Sequence, residues 1–211
     1  MKFYYNPVSL YSQKTLTALH EKKVEFTPSI VDLFSDEGRA AYKKVNPFGK
    51  VPALVLDNGW LIPESSIIIE YVDTHFQSGT KLLPADADKA RQVRFYDRIF
   101  DLYVSNQFQK IFFDGRRPEK DRDPVGVASA LATLNNTYDL LDKHFAKATW
   151  AVDDFSMADC AASAGLGYAR MIVPFDKHPN LGAYFGRLAE RPAFKRVLEE
   201  AAPFLAKLAA K

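Results

Sequence analysis

The stretch Asn46–Glu70, NPFGKVPALVLDNGWLIPESSIIIE, decides the fold. Asn46-Pro47 and Gly49 are turn formers. Pro52 drives Val51 into an extended conformation, which leaves the Val51 N–H and C=O able to meet another extended backbone. Pro52, tolerated at a strand's first residue, opens a predicted strand from Ala53 to Leu56. Asp57-Asn58-Gly59 is a hairpin signal, and Trp60 to Ile62 returns as the second strand. Pro63-Glu64-Ser65-Ser66 then precedes the apolar helical run Ile67 to Phe76, gathering hydroxyls and unpaired N–H groups at a helix start, where carboxylates bind. In isolation these residues are an ordinary cap, with Ser65 the N-cap and Glu64 a first-turn acid. Directly behind an open extended edge, they complete a docking site for a small peptide-like anion.

Upstream, Lys2 to Tyr5 is a short predicted strand ended by Asn6-Pro7. Leu10, Leu16, Leu19 and Val24 follow at the spacing of an amphipathic helix, and the loop before it holds Ser9, Tyr11 and Ser12. Phe26 to Val31 is a second strand and Ser35 to Lys44 a short polar helix. The order βαβαββα predicts one α/β unit over residues 1–77, its first two strands parallel with a right-handed crossover.

Gln77-Ser78-Gly79 closes that unit, and residues 78–87 read as a linker. Residues 88–211 carry helical periodicity without convincing strands and predict an all-helical bundle. Its first helix, about Ala87 to Phe113, has more apolar residues than one stripe holds and is buried on more than one side. Asp114 to Pro124 is a charged, solvated loop, and Asp123-Pro124 cap a helix to about His144. Ser156-Met157-Ala158-Asp159 has capping-box spacing ahead of the small-residue run Ala161 to Gly165, which permits close packing at the centre of the bundle. Two short helices, around Pro179 to Glu190 and Pro192 to Glu200, finish it.

Apolar residues make up 47% of the 211 and aromatics 13%, enough for a sizeable core, and no run approaches the length that spans a bilayer. Lys plus Arg total 28 against 26 Asp plus Glu, a net charge of +2 that points away from nucleic acid and from a membrane surface. The single cysteine, Cys160, excludes an intramolecular disulfide and a Cys-rich metal site, and it reads as a buried, inert thiol. No signal peptide pattern is present, so a soluble cytoplasmic protein acting on small ligands, without a metal, is expected.

NPFGKVPAL, the Glu64-Ser65 pair before a helix, FSMAD (155–159) and RPAF (191–194) stand in an order that resembles the cytosolic glutathione transferases over nearly the whole chain. Within that family it resembles a serine-type-like, bacterial member. The resemblance implies a thioredoxin-like domain followed by an all-helical one, with glutathione as co-substrate. It implies that Val51, the residue before Pro52, pairs its backbone with the cysteinyl part of glutathione, and that Glu64 and Ser65 hold the γ-glutamyl group. Lys50 and Arg39 fall where members contact the ligand, Lys50 as a good match and Arg39 as a poor one. Classes of the family activate the thiol with Tyr, Ser or Cys. Ser9 falls at the serine of the phi, theta and zeta classes, Tyr5 near the tyrosine of alpha, mu and pi, and Tyr11 at the cysteine of beta. Ser9 is the expected thiolate donor, with Tyr5, Tyr11 and Ser12 as substitutes.

The resemblance further implies an acceptor pocket for a small apolar electrophile, lined by Tyr11, Phe34, Tyr103, Phe108 and Phe112. Phe48 matches an aromatic that locks some classes into homodimers. Two alternatives remain. YSQKTLTALHEK with ESSIIIEYVDTHF is similar to stringent starvation protein A, a non-catalytic relative that binds RNA polymerase. A glutathione-dependent maleylacetoacetate isomerase lacks support from its SSCSWRVR-like run, replaced here by Ser9-Leu10-Tyr11-Ser12-Gln13-Lys14-Thr15.

Overall fold

The computed structural model describes residues 1–209. It separates into two compact units, Met1–Leu83 with the segment from Arg191 onward, and Pro84–Glu190. The first unit follows the expected order: β1 (Lys2–Tyr5), α1 (Leu10–Glu21), β2 (Thr27–Ile30), α2 (Asp36–Lys43), β3 (Ala53–Val55), β4 (Leu61–Pro63) and α3 (Ser65–His75). The sheet order is β2-β1-β3-β4, with β1 and β2 parallel and the other pairs antiparallel.

Successive side chains on a strand alternate between faces, and the two faces of this sheet meet different partners. Tyr4 and Ala53 join Val31 and Tyr42 of α2 in one cluster. The paired row Phe3, Leu54 and Ile62 is almost fully buried on the other face, where α1 and α3 pack together. β2 is an exposed edge, which is why Pro28, lacking a donor, is tolerated in it. Gly59, at φ 85, supplies the left-handed residue of the β3–β4 hairpin, and its N–H donates to the Leu56 carbonyl at 2.9 Å.

Buried ions fasten α1 to α3. Lys22 and Asp73, each about 1% exposed, pair at 3.1 Å, and Asp73 also takes Lys81 at 3.0 Å and the N–H groups of Leu82 and Leu83. Burial pushes the Asp73 carboxyl up, but these donors and cations outweigh it and hold it below the ordinary carboxylate value.

The second unit holds α4 (Ala87–Arg98), a π-helical stretch (Ile99–Ser105), α5 (Asn106–Asp114), α6 (Pro124–Phe145), α7 (Met157–Ala169) and α8 (Pro179–Ala189), with a 3-10 turn at Glu119–Asp121. The long first helix therefore runs as expected but widens in its middle, and nothing in the residue pattern announced that. α7 is buried nearly all round and packs on the π-helical stretch, α4 and α8. Its small residues allow this: a Cβ at Gly165 would lie 2.7 Å from Ser105 Oγ. The capping box forms, and Asp159 accepts from Ser156 N–H and Oγ, Ala151 N–H and Tyr184 OH at 2.7–2.9 Å.

The last helix, α9 (Pro192–Ala209), departs from expectation in two ways. It continues past Glu200 through Pro203, whose flanks are largely exposed. It also packs on α1 rather than in the helical bundle where residues 88–211 had placed it. Apolar burial and one buried ion pair hold it there: Phe194, Val197 and Ala201 are each about 1% exposed, and Glu21, 8% exposed, takes a two-pronged bond from Arg191 at 2.6 and 2.7 Å. Among the described residues no helix is long and apolar enough to cross a membrane.

Candidate functional site

The register brings three loops to one end of the sheet. Tyr4 faces Ala53 and Ala53 faces Pro63, so the chain leaving β1, the chain entering β3 and the chain leaving β4 are neighbours. Those loops carry Ser9, Val51 and Glu64-Ser65 respectively.

Asn6 shapes the first loop. Its side chain donates to the Val31 carbonyl at 2.9 Å and accepts from Val8 N–H at 3.1 Å, while its carbonyl accepts from Ser9 N–H at 2.9 Å. Gln13 adds a bond to the Pro7 carbonyl at 2.8 Å. Ser9 is thereby set as the N-cap of α1, partly buried, its Oγ accepting from Ser12 N–H at a long 3.4 Å. The Ser9 hydroxyl proton has no acceptor among the described residues. The substitutes sit less favourably. Ser12 is fully buried and accepts from Asn6 N–H, which removes it from ligand reach. Tyr5 lies in the core, its ring 5.2 Å from Phe3, and burial together with the Glu200 carboxylate pushes its phenol up. Tyr11 is partly buried in the first turn of α1.

In the second loop Gly49, at φ 64, turns the chain, and its N–H donates to the Asn46 carbonyl. Both Asn46 Nδ2 and Tyr42 OH donate to the Lys50 carbonyl, at 2.8 and 2.9 Å. Burial raises the Tyr42 phenol to about 12, so it stays a donor. The Val51–Pro52 peptide is cis. Strand pairing begins only at Ala53, and no loop hydrogen bond among the described residues engages the Val51 N–H or C=O. The Lys50 side chain is exposed, and Phe48 is 74% exposed.

The third loop holds a strained residue. Glu64 adopts φ 70 and ψ 120, outside the regions a bulky L-residue favours, and it, not Ser65, is the N-cap of α3. It makes no side-chain cap bond, and Ser65 follows it as the first residue of α3. Ser66 accepts from the buried Lys14 Nζ at 2.8 Å.

Arg39 has partners within its own segment. Its guanidinium donates to the Leu33 carbonyl at 2.9 Å and pairs with Asp36 in its own helix. Of the aromatic candidates, Tyr11 and Phe34 lie in the first unit, Phe34 exposed beside the Asp32 turn. In the second unit Tyr103 is exposed on the π-helical stretch and Phe112 lies under the Arg116 guanidinium at 3.6 Å. Phe108 is largely buried, at 5% exposed, with its ring packed against Phe112 and Tyr168. The reading by residue type missed Asn46 and Tyr42 as braces and missed Lys14 altogether. Lys14 stands four residues after Leu10, where the helical period calls for an apolar side chain, and that was its signal.

Patterns of known families match both units: "Glutathione S-transferase, N-terminal domain" over residues 8–75 and "Glutathione S-transferase, C-terminal domain" over residues 104–192. A probable glutathione S-transferase of Nicotiana tabacum is 31% identical over 191 residues, covering 86% of this chain and 79% of that protein. The solved glutathione S-transferase of Methylobacillus flagellatus KT, with GSH bound, superposes with a TM-score of 0.87 at 27% identity, covering 93% of this chain and 98% of that one. The beta-etherase LigF of Sphingobium is 40% identical over 94 residues, 44% of this chain and 36% of that protein; its structure gives a TM-score of 0.82 at 25% identity, covering 94% and 98% of the two chains. A thioredoxin-like α/β unit joined to a helical one, the matching patterns and these relatives together establish that the chain belongs to the glutathione S-transferase family.

Proposed function

We propose that the protein is a glutathione transferase that binds glutathione at the shared end of the sheet, stabilises its thiolate with Ser9 and adds it to a small apolar electrophile. One observation carries this reading: a hydroxyl with an uncommitted proton, an unpaired extended backbone and a helix start without a side-chain cap emerge from three adjacent loops. Val51 pairs with the cysteinyl backbone, as strand addition does. Ser65 and the first N–H groups of α3 take the γ-glutamyl carboxylate, Glu64 takes the γ-glutamyl ammonium, and Lys50 adds an exposed cation. Arg39 contributes only by exchanging Asp36 for the ligand.

The demand on Ser9 is modest. A free thiol titrates near ~8.5, so ionising it at neutral pH means lowering its pKa by about two units, or ~2.7 kcal/mol. One hydroxyl bond to a charged acceptor contributes ~1.5 to 3 kcal/mol, and the start of α1 adds ~0.3 to 1. Ser9 keeps its proton throughout and acts as a donor. We place this activity, in a detoxifying role, in a cytoplasmic homodimer whose subunits interlock through Phe48.

Retention on immobilised glutathione, together with conjugation of glutathione to an aryl halide, tests the reading. Loss of both would favour the partner-binding alternative, in which the surface carries the function. The similarity to LigF supports a second reading within the same site: the thiolate attacks an ether carbon and the alkoxide or aryloxide leaves, so the thioether forms as the C–O bond breaks. Release of a phenol from an aryl ether would separate it from the first.

A further inference from the structure

Asn6 directly follows β1 and is 4% exposed, so its polar groups need partners inside the protein. The two ends of its amide differ, and both are used: Nδ2 donates to the Val31 carbonyl at 2.9 Å and Oδ1 accepts from Val8 N–H at 3.1 Å. A carboxylate of the same shape has nothing to donate to that carbonyl. Val31 is itself tied to the sheet, its N–H donating to the Tyr5 carbonyl at 2.7 Å. The main chain of Asn6 then enters a closed ring. Ser9 N–H donates to the Asn6 carbonyl at 2.9 Å, Asn6 N–H donates to Ser12 Oγ at 3.3 Å, and Ser12 N–H donates to Ser9 Oγ at 3.4 Å. The bond from Ser12 takes a lone pair of the Ser9 oxygen and so turns the Ser9 hydroxyl proton away from that N–H.

We propose that Asn6 is a positioning residue for the thiolate donor Ser9, acting through this ring, with Ser12 as its second member. This inference rests on the glutathione reading above. A hydroxyl stabilises a thiolate only when its proton points at the sulfur, so a loop free to turn would lose much of the effect. Asn6 fixes the loop to the end of β2. Ser12, fully buried and out of ligand reach, contributes by holding the Asn6 N–H.

The test is the ultraviolet thiolate absorbance of bound glutathione against pH, with calorimetric titration of S-methylglutathione, which has no thiol to ionise. Asn6→Ala should raise the thiol pKa by about one unit, a tenfold loss of thiolate at neutral pH, while S-methylglutathione affinity changes by less than about twofold. Ser12→Ala should move the pKa in the same direction by less, and decides the matter if Asn6→Ala does not fold. In a Ser9→Ala background Asn6→Ala should add less than about 0.3 unit, because no hydroxyl is left to aim; a merely structural role would not show this dependence. An unchanged pKa in both single variants, an equal rise with and without Ser9, or a matching loss of S-methylglutathione binding would overturn the proposal. Failure of the wild type to bind glutathione or to depress its pKa would remove the underlying reading and this inference with it, and is told apart by the wild-type measurement alone.

Discussion

Asn46 Nδ2 lies 2.8 Å from the carbonyl oxygen of Lys50 and donates to it, so a side chain at the start of the NPFGK turn braces the peptide at its end. Tyr42 OH reaches the same oxygen at 2.9 Å. With that carbonyl held from within, the following residue, Val51, presents its backbone outward. Asn46→Ala removes one brace and should raise the glutathione Kd by about five- to tenfold, equivalent to ~1 to 1.4 kcal/mol. Calorimetric titration reads it, and an unchanged Kd would show that Tyr42 alone suffices.

Glu64 should separate stability from binding. Its φ of 70 is costly for a residue with a Cβ and costs glycine little. Glu64→Gly is therefore expected to raise the unfolding free energy by about 1 kcal/mol while glutathione affinity falls, because the carboxylate assigned to the ligand ammonium is gone. Urea titration and calorimetry on one preparation measure both. A variant that loses stability would mean the backbone there is not strained.

Phe48 is 74% exposed on the turn next to Val51, a position where a large apolar ring gains by burial against another subunit. Phe48→Ser should shift sedimentation at micromolar concentration from dimer towards monomer. An unaltered sedimentation profile would place the dimer contact elsewhere.

Asp73 sets an acid limit on stability. Its carboxyl is held below the ordinary value in the folded state, so its contribution is present above the unfolded pKa of about 3.9 and is lost as pH falls through the folded value. The wild type should lose stability in denaturant titrations as pH drops below about 4. Asp73→Asn leaves Lys22, about 1% exposed, without its carboxylate, and should be about 3 kcal/mol less stable at pH 6 with a flatter acid limb. Equal acid sensitivity in the two proteins would assign the limit to other groups.

Much of this architecture was readable from residue type. Turn formers at Asn46-Pro47 and Asp57-Asn58-Gly59 and apolar alternation between them are local signals, and the strands formed within a residue or two of expectation. The frame of the candidate site was legible for the same reason, since the backbone around Ser9, Val51 and Glu64-Ser65 is defined by caps and turns. What escaped depends on contacts distant in sequence. Arg191 finds Glu21 across 170 positions, and α9, which follows it, belongs to the first unit. Lys14 meets Ser66 across 52 positions. Phe108 and Tyr103 look equivalent as aromatics on one helix, yet one is 5% and the other 49% exposed, a difference set by the partners of each face. The π-helical stretch Ile99–Ser105 likewise packs against α7, an element distant in sequence.

The central claim is that Ser9 lowers the thiol pKa of bound glutathione, and the ultraviolet thiolate absorbance of the complex as a function of pH tests it most directly. Measured in the wild type, Ser9→Ala and Tyr5→Phe, the account predicts a pKa about two units below ~8.5 that returns upward only in Ser9→Ala, with glutathione still bound and turnover sharply reduced. A pKa that stays depressed in Ser9→Ala, or one that is not depressed in the wild type, would contradict it.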